Sequence, residues 1–286
     1  LVGSEMCIRD SRYTEGYGIS TKGIDHAARK GATLIIALDC GIKAIEKVDY
    51  AKRKGVDFII CDHHLPAEEI PRAVAVLDPK RTDCTYPFDE LSGCGVGFKL
   101  VQAYAQKNRI PFEQISPLLD LLVVSIASDI VPLVGENRIL AHYGLELLNR
   151  APSKGLLSII KICGLNKHSI TIDDIVFKIG PRINAAGRMD SPMDALELLL
   201  TMDNRRAVQL AQMLDSHNRK RQEEEEAIRT DAVQMLHNSF DPERDNVIVL
   251  GSRAWHPGVV GIVASQLMRR YHKPTFVIAF DESGVG

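Results

Sequence analysis

The sequence predicts an α/β protein: a parallel sheet flanked by helices, then a helical insert, a long connecting helix and a partial second α/β domain. Three observations predict it. Short, nearly all-apolar β-rich runs alternate with helical ones between residues 33 and 79, as in a parallel sheet covered on both faces. Residues 205–237 form one long helical run, and a strand–turn–helix–strand pattern starts again after Asn246.

The elements follow in order. Residues 33–38 (TLIIAL) are the first strand, then comes Gly41 and an amphipathic helix over 43–54. Lys52, Arg53 and Lys54 occupy its last turn, where cations suit the helix dipole, and Gly55 ends it. Residues 56–61 (VDFIIC) and 73–77 (AVAVL) are the second and third strands. Beyond Pro79 the pattern is helical over 95–107, 116–127, 136–150 and 154–163. The compact stretch 177–188 (FKIGPRINAAGR) is expected to form a loop before a helical piece at 192–203. RKRQEEEE (219–226) reads as the solvated face of the long helix. The last unit is a strand at 247–250, a helix from about Gly258 to Tyr271, and a strand at 275–280. Domain limits of 12–195, 196–240 for the connecting helix, and 241–286 follow.

Composition narrows the class. The 286 residues are 45% hydrophobic and 25% charged, which suits a globular protein with a real core. No run reaches the ~18 apolar residues that span a bilayer. Six cysteines are scattered with no Cys-x-x-Cys pair, which argues against a zinc site or a disulfide framework and for a reducing, cytoplasmic setting. A net charge of −2 means that any nucleic-acid surface must be local. Residues 1–11 have no clear period, no signal-peptide pattern and no starting methionine, and read as non-native. The chain stops just after a strand-like run, and reads as a piece of a longer protein.

Ligands of open parallel sheets bind beyond the carboxyl ends of the strands. The polar residues standing there are Asp39, then Asp62, His63 and His64, then Asp78. Imidazole with carboxylate suits Mn²⁺, Zn²⁺ or Fe²⁺, and carboxylate-rich sets lean to Mn²⁺ or Mg²⁺. Asp129 follows the apolar helix in SIASDIVPL. An isolated Asp-His-His would more often be ordinary solvated residues; three converging positions favour a metal.

ALDCGI (37–42), CDHHLP (61–66), SDIVPL (128–133) with ENR (136–138), and GPRINAAGRM (180–189) stand in an order that resembles the DHH phosphoesterase family, in its RecJ-type exonuclease branch. TEGYGIS (14–20) and LSGCGVGFKL (91–100) fit the same family, and WHPGVVGIVASQL (255–267) resembles the start of its DHHA1 domain. The resemblance implies two-metal hydrolysis of phosphodiester bonds in single-stranded DNA with Mn²⁺ or Mg²⁺, 5′ to 3′, in DNA repair and recombination. It implies Asp39, His63 and Asp129 as metal ligands. His64 would face the bound phosphate or help fix the site, with Asp62 orienting a neighbouring histidine at this catalytic centre. Arg188 would pair with a substrate phosphate, with Arg182 and Asn184 shaping the loop; for Arg182 a structural ion pair stands equally open. Gly258 would start a helix whose amides could bind phosphate, and His256 would add a polar contact or a cap.

The family's upstream Asp-x-Asp motif has no counterpart here, since only Asp10 and Asp25 precede Asp39, at other spacing. The expected metal site is therefore incomplete and the piece itself inactive. A single-strand-binding protein or helicase would be a fitting partner, and a membrane would not. Two rival readings are a DHH phosphoesterase for short oligonucleotides, cyclic dinucleotides or polyphosphate, and a non-catalytic DNA-binding scaffold. The retained Asp39, His63, His64 and Asp129 speak against the scaffold.

Overall fold

The computed structural model describes residues 18–241 and 243–286. Residues 1–11, Asp10 among them, and the first part of TEGYGIS lie outside the described residues. Among the described residues a helix not expected from the sequence comes first: α1, Thr21–Arg29, whose cap Ser20 accepts from the Gly23 amide at 2.9 Å. Strand β1 (Leu34–Leu38), helix α2 (Ile45–Arg53), strand β2 (Asp57–Cys61) and strand β3 (Ala75–Leu77) then build a parallel sheet in the order β1-β2-β3. The register pairs Leu38 with Cys61 and Cys61 with Leu77.

One face of the sheet packs Ala37, Phe58 and Ile60 with Ile24 of α1 and with Val48 and Ala51 of α2. The other face departs from the expectation of two covered faces. Leu34, Ile36 and Leu38 are 45%, 49% and 53% exposed. Among the described residues β1 pairs on one side only, with β2, and little packs over this face, so an all-apolar run there did not imply burial on both sides.

The helical part follows as α3 (Gly93–Lys107), α4 (Leu119–Ser128), α5 (Gly135–Arg150), α6 (Lys154–Ile162) and a single turn, α7 (Ile172–Asp174). A π-helical turn, Ile175–Ile179, leads into α8 (Gly180–Met189). GPRINAAGR is thus a helix and not the expected loop. Pro181 sits in the first turn, where a missing N–H is harmless, and buried Ala185 and Ala186 let α8 pack closely. Helix α9 (Met193–Leu200) precedes α10 (Asn204–Ser239), a 36-residue helix capped by Asp203.

Helix α10 serves two cores. Ala207, Leu210, Ala211 and Leu214 join the large helical core with α3 to α6. Ile228, Ala232 and Leu236 join a second core with strand β4 (Ile248–Ser252) and helix α11 (Pro257–Tyr271). Strand β5 (Thr275–Ala279) pairs with β4 in parallel. RKRQEEEE spans the stretch between the two cores, mostly exposed as expected. Arg221, Glu224 and Glu225 are the half-buried exceptions: Arg221 and Glu225 pair at 2.5 Å, and Gln266 of α11 donates to Glu225 at 2.6 Å. Among the described residues no helix is long and apolar enough to cross a membrane.

Candidate metal centre

The sheet register sets the site. Asp39, Asp62 and Asp78 are the residues directly after the paired Leu38, Cys61 and Leu77, so they stand in one row at the carboxyl end. Two ladder bonds hold the row: the Asp39 amide donates to the Cys61 carbonyl at 2.8 Å, and the Asp62 amide to that of Leu77 at 2.9 Å. Asp39 has φ 62°, a left-handed conformation that Asp tolerates better than most residues. Ile130, just after Asp129, has φ 56°. A β-branched residue rarely adopts that conformation, and such outliers cluster at functional sites.

Asp62 is buried and fully engaged. Its carboxylate accepts from the amides of Ile42 (2.9 Å), His63 (2.8 Å) and His64 (3.2 Å), and contacts His64 Nδ1 at 2.7 Å. Burial pushes its pKa up, but the donors from Ile42, His64 and His63 together outweigh it and hold the carboxyl below its usual range. It therefore orients the backbone of both histidines and the ring of His64.

His63 is the centre of the cluster. Its ring is largely buried, and Nε2 lies 3.1 Å from Asp39 Oδ1 and 3.3 Å from Asp129 Oδ2. Neither ring nitrogen has an aligned hydrogen-bond partner. The Asp39 carboxylate raises the pKa of the imidazole most, burial opposes it, and Asp129 adds to the rise. One buried nitrogen shared by two carboxylates without a directed bond is a donor set that a divalent cation fits. Donor atoms of Asp39, His63 and His64 lie within 4.8 Å of one another. Cys61, next in line, does not join them: burial first, then Asp62, pushes its thiol up to about 11.

Asp129 reaches His63 from the C-terminal end of α4, and two residues of the ENR segment fix the stretch that carries it. Buried Asn137 donates to the carbonyls of Glu90 (2.5 Å) and Pro132 (3.0 Å). Glu136 accepts from Lys99 at 2.6 Å and Tyr86 at 2.5 Å. Sequence reasoning quoted ENR without a role. It also left Asp78 out of the candidate set, although Asp78 is buried at the end of β3 and burial raises its pKa; its place after an apolar strand was the signal. Asp25 is tied to Tyr50 and Lys54 at 2.8 and 3.3 Å, away from this centre.

The predicted DNA contacts lie elsewhere, along α8 and the start of α11. Arg188 donates to the Gly258 carbonyl at 3.2 Å and so links the two helices. Arg182 donates to Asp215 and to the Lys178 carbonyl, both at 2.8 Å, which is the structural ion pair. Asn184 is exposed. His256 caps α11 by accepting from the Gly258 amide at 3.1 Å. The amides of Val259 and Val260 donate to the His256 carbonyl and Pro257 has none, so a phosphate there would have to displace a cap.

A parallel sheet presenting aspartates and an Asp-His-His triplet at its carboxyl end defines a class. Residues 5–126, which carry that triplet, match the DHH family, N-terminal domain. The chain is similar to single-stranded-DNA-specific exonucleases named RecJ. It is 39% identical to that of Bacillus subtilis over 95% of this chain and 34% of the relative, and 33% identical to that of Escherichia coli over 96% and 50%. A crystal structure of exonuclease RecJ bound to manganese superposes with TM-score 0.83 at 32% identity, covering 94% of this chain and 66% of that one. RecJ of Thermus thermophilus in complex with Mn²⁺ gives TM-score 0.78 at 31% identity, over 90% and 38%. The chain thus spans between a third and a half of these curated relatives.

Proposed function

We propose that the chain carries the catalytic core of a metal-dependent exonuclease for single-stranded DNA, with Asp39, His63 and Asp129 as ligands of Mn²⁺ or Mg²⁺. The observation that carries this reading is His63 Nε2 lying 3.1 and 3.3 Å from two carboxylates with no aligned bond. The relatives' names supply the substrate. A bound divalent cation would polarise a phosphodiester oxygen and acidify water. Asp39 and Asp129 supply the negative charge that holds it, and His63 the neutral donor between them. Asp62 engages His64 Nδ1, so Nε2 of that exposed ring remains to meet a phosphate oxygen or to pass a proton to the leaving oxygen.

Arg188 and Asn184 are assigned to the DNA backbone; Arg182 serves α10, and His256 with Gly258 the α11 cap. Two-metal chemistry, 5′–3′ polarity, a role in repair and recombination, a cytoplasmic setting and single-strand-binding or helicase partners come with the family reading. Divalent ions of this kind take about six donors each. The three ligands assigned here supply few of them, so the chain alone binds Mn²⁺ weakly and is inactive. The test follows the electron paramagnetic resonance signal of free Mn²⁺ during titration of wild type and His63→Ala. Binding that His63→Ala abolishes supports the ligand set; equal binding refutes it. Processive release of mononucleotides from labelled single-stranded DNA by the chain alone would show the ligand count to be wrong.

A further inference from the structure

We propose that Gly93 is a positioning residue of the metal centre: the space its missing side chain leaves is the space the Asp39 side chain occupies. The inference rests on the reading of Asp39 as a metal ligand. It concerns the glycines of LSGCGVGFKL, to which neither the sequence nor the site assigned a role. Ser92 caps α3 by accepting from the Gly95 amide at 3.1 Å, which brings the first turn of the helix against the end of β1. A Cβ built on Gly93 would lie 2.2 Å from Asp39 Oδ1, 2.5 Å from its Cγ and 2.6 Å from its Cβ. Separations under 3.0 Å are essentially never seen for real Cβ atoms.

The third distance decides the matter. Rotation about χ1 could carry Oδ1 and Cγ away from a new methyl group, but it cannot move the Asp39 Cβ. That atom is fixed by a backbone at φ 62° whose amide is bound to the Cys61 carbonyl. An alanine at 93 must therefore shift the start of α3 or the end of β1. A shift of β1 takes the Asp39 carboxylate from its place beside His63 Nε2, and a shift of α3 removes the wall that holds it there. The neighbouring glycines differ. A Cβ on Gly97, one turn along, would meet the terminal Cδ2 of Leu38 at 3.0 Å, and a methyl group at the end of a side chain can turn aside. A Cβ on Gly95 would meet Ser92 Oγ at 3.3 Å. Three glycines share one helix start, and Gly93 is the one set against the carboxylate.

The experiment titrates Mn²⁺ into this chain and its Gly93→Ala, Gly95→Ala, Gly97→Ala and Asp39→Gly variants. Free Mn²⁺ is read by electron paramagnetic resonance, and folding by circular dichroism and thermal melts. Gly93→Ala should weaken Mn²⁺ binding by roughly 10–100-fold, the usual effect of disturbing the support of a ligand. Gly95→Ala and Gly97→Ala should bind as wild type. Unchanged affinity in Gly93→Ala beside a loss in Asp39→Gly overturns the inference and leaves the metal reading standing. Wild-type affinity in Asp39→Gly overturns the metal reading of Asp39 itself. Equal losses in Gly93→Ala and Gly97→Ala mean that general helix packing is at work, which also overturns it. Should Gly93→Ala be too unstable to titrate, the double variant with Asp39→Gly decides through coupling. Removing the atoms that clash should return the melting temperature to that of Asp39→Gly alone, and a double variant as unstable as Gly93→Ala overturns the proposal.

Discussion

Asp62→Ala removes the acceptor on which the site's backbone hangs. The carboxylate is 1% exposed and serves three amides and one imidazole. The Ile42 and His63 amides would be stranded in a buried setting, each costing about 1–3 kcal/mol. The His64 ring, 58% exposed, can turn to water at little cost. A loss of about 2–6 kcal/mol is expected, or roughly 4–24 °C in melting temperature for a domain of this size. Asp62→Asn fills the same volume but turns an N–H₂ towards some of these donors, so its loss should match that of alanine within about 1 kcal/mol. The assay is urea unfolding of all three proteins at pH 7 and at steps down to pH 3. The folded pKa of Asp62 lies below the ordinary 3.8, so its contribution is complete above that value and is lost as pH falls through the folded pKa. The gap between wild type and Asp62→Ala should therefore hold from pH 7 to about 4 and then shrink. A gap under about 0.5 kcal/mol at pH 7, or one that widens in acid, would refute the reasoning.

Two more predictions concern the second half of the chain. Arg188→Ala should weaken single-stranded DNA binding equally for all base sequences and lower the salt slope of log K by roughly 0.7, one phosphate contact; an unchanged slope assigns the guanidinium to contacts within the protein, the Gly258 carbonyl among them. Trp255→Phe keeps the ring in the second core but loses the bond from Nε1 to Asp231 at 2.8 Å. It should cost about 1 kcal/mol in chemical denaturation, and no change would mean that water replaces the bond.

Much of the candidate site was legible because its signals are local. An apolar run followed at once by Asp39, or by Asp62, His63 and His64, marks the end of a buried strand. Parallel strands place all such ends on one side, so adjacency in the sequence became adjacency in the sheet. The long α10 and the closing β4-α11-β5 unit were legible in the same way, from runs of residues that need no distant partner to be recognised.

Other features depend on which distant residues meet, and no local pattern carries that. GPRINAAGR has the glycines and proline of a loop, yet α8 forms because Pro181 falls in its first turn and its alanines pack against α10. Arg182 is an ion-pair residue because α10 brings Asp215 to it, and His256 is a cap because its own ring reaches the Gly258 amide. The open face of β1 among the described residues depends on what packs over the sheet, which an apolar pentapeptide cannot declare. By itself the sequence determined the sheet, the row of acids at its end and the chemistry those acids suit. The tertiary structure decided that Asp39 and Asp129 meet at one nitrogen of His63, because that meeting depends on how α3 and α4 dock on the sheet.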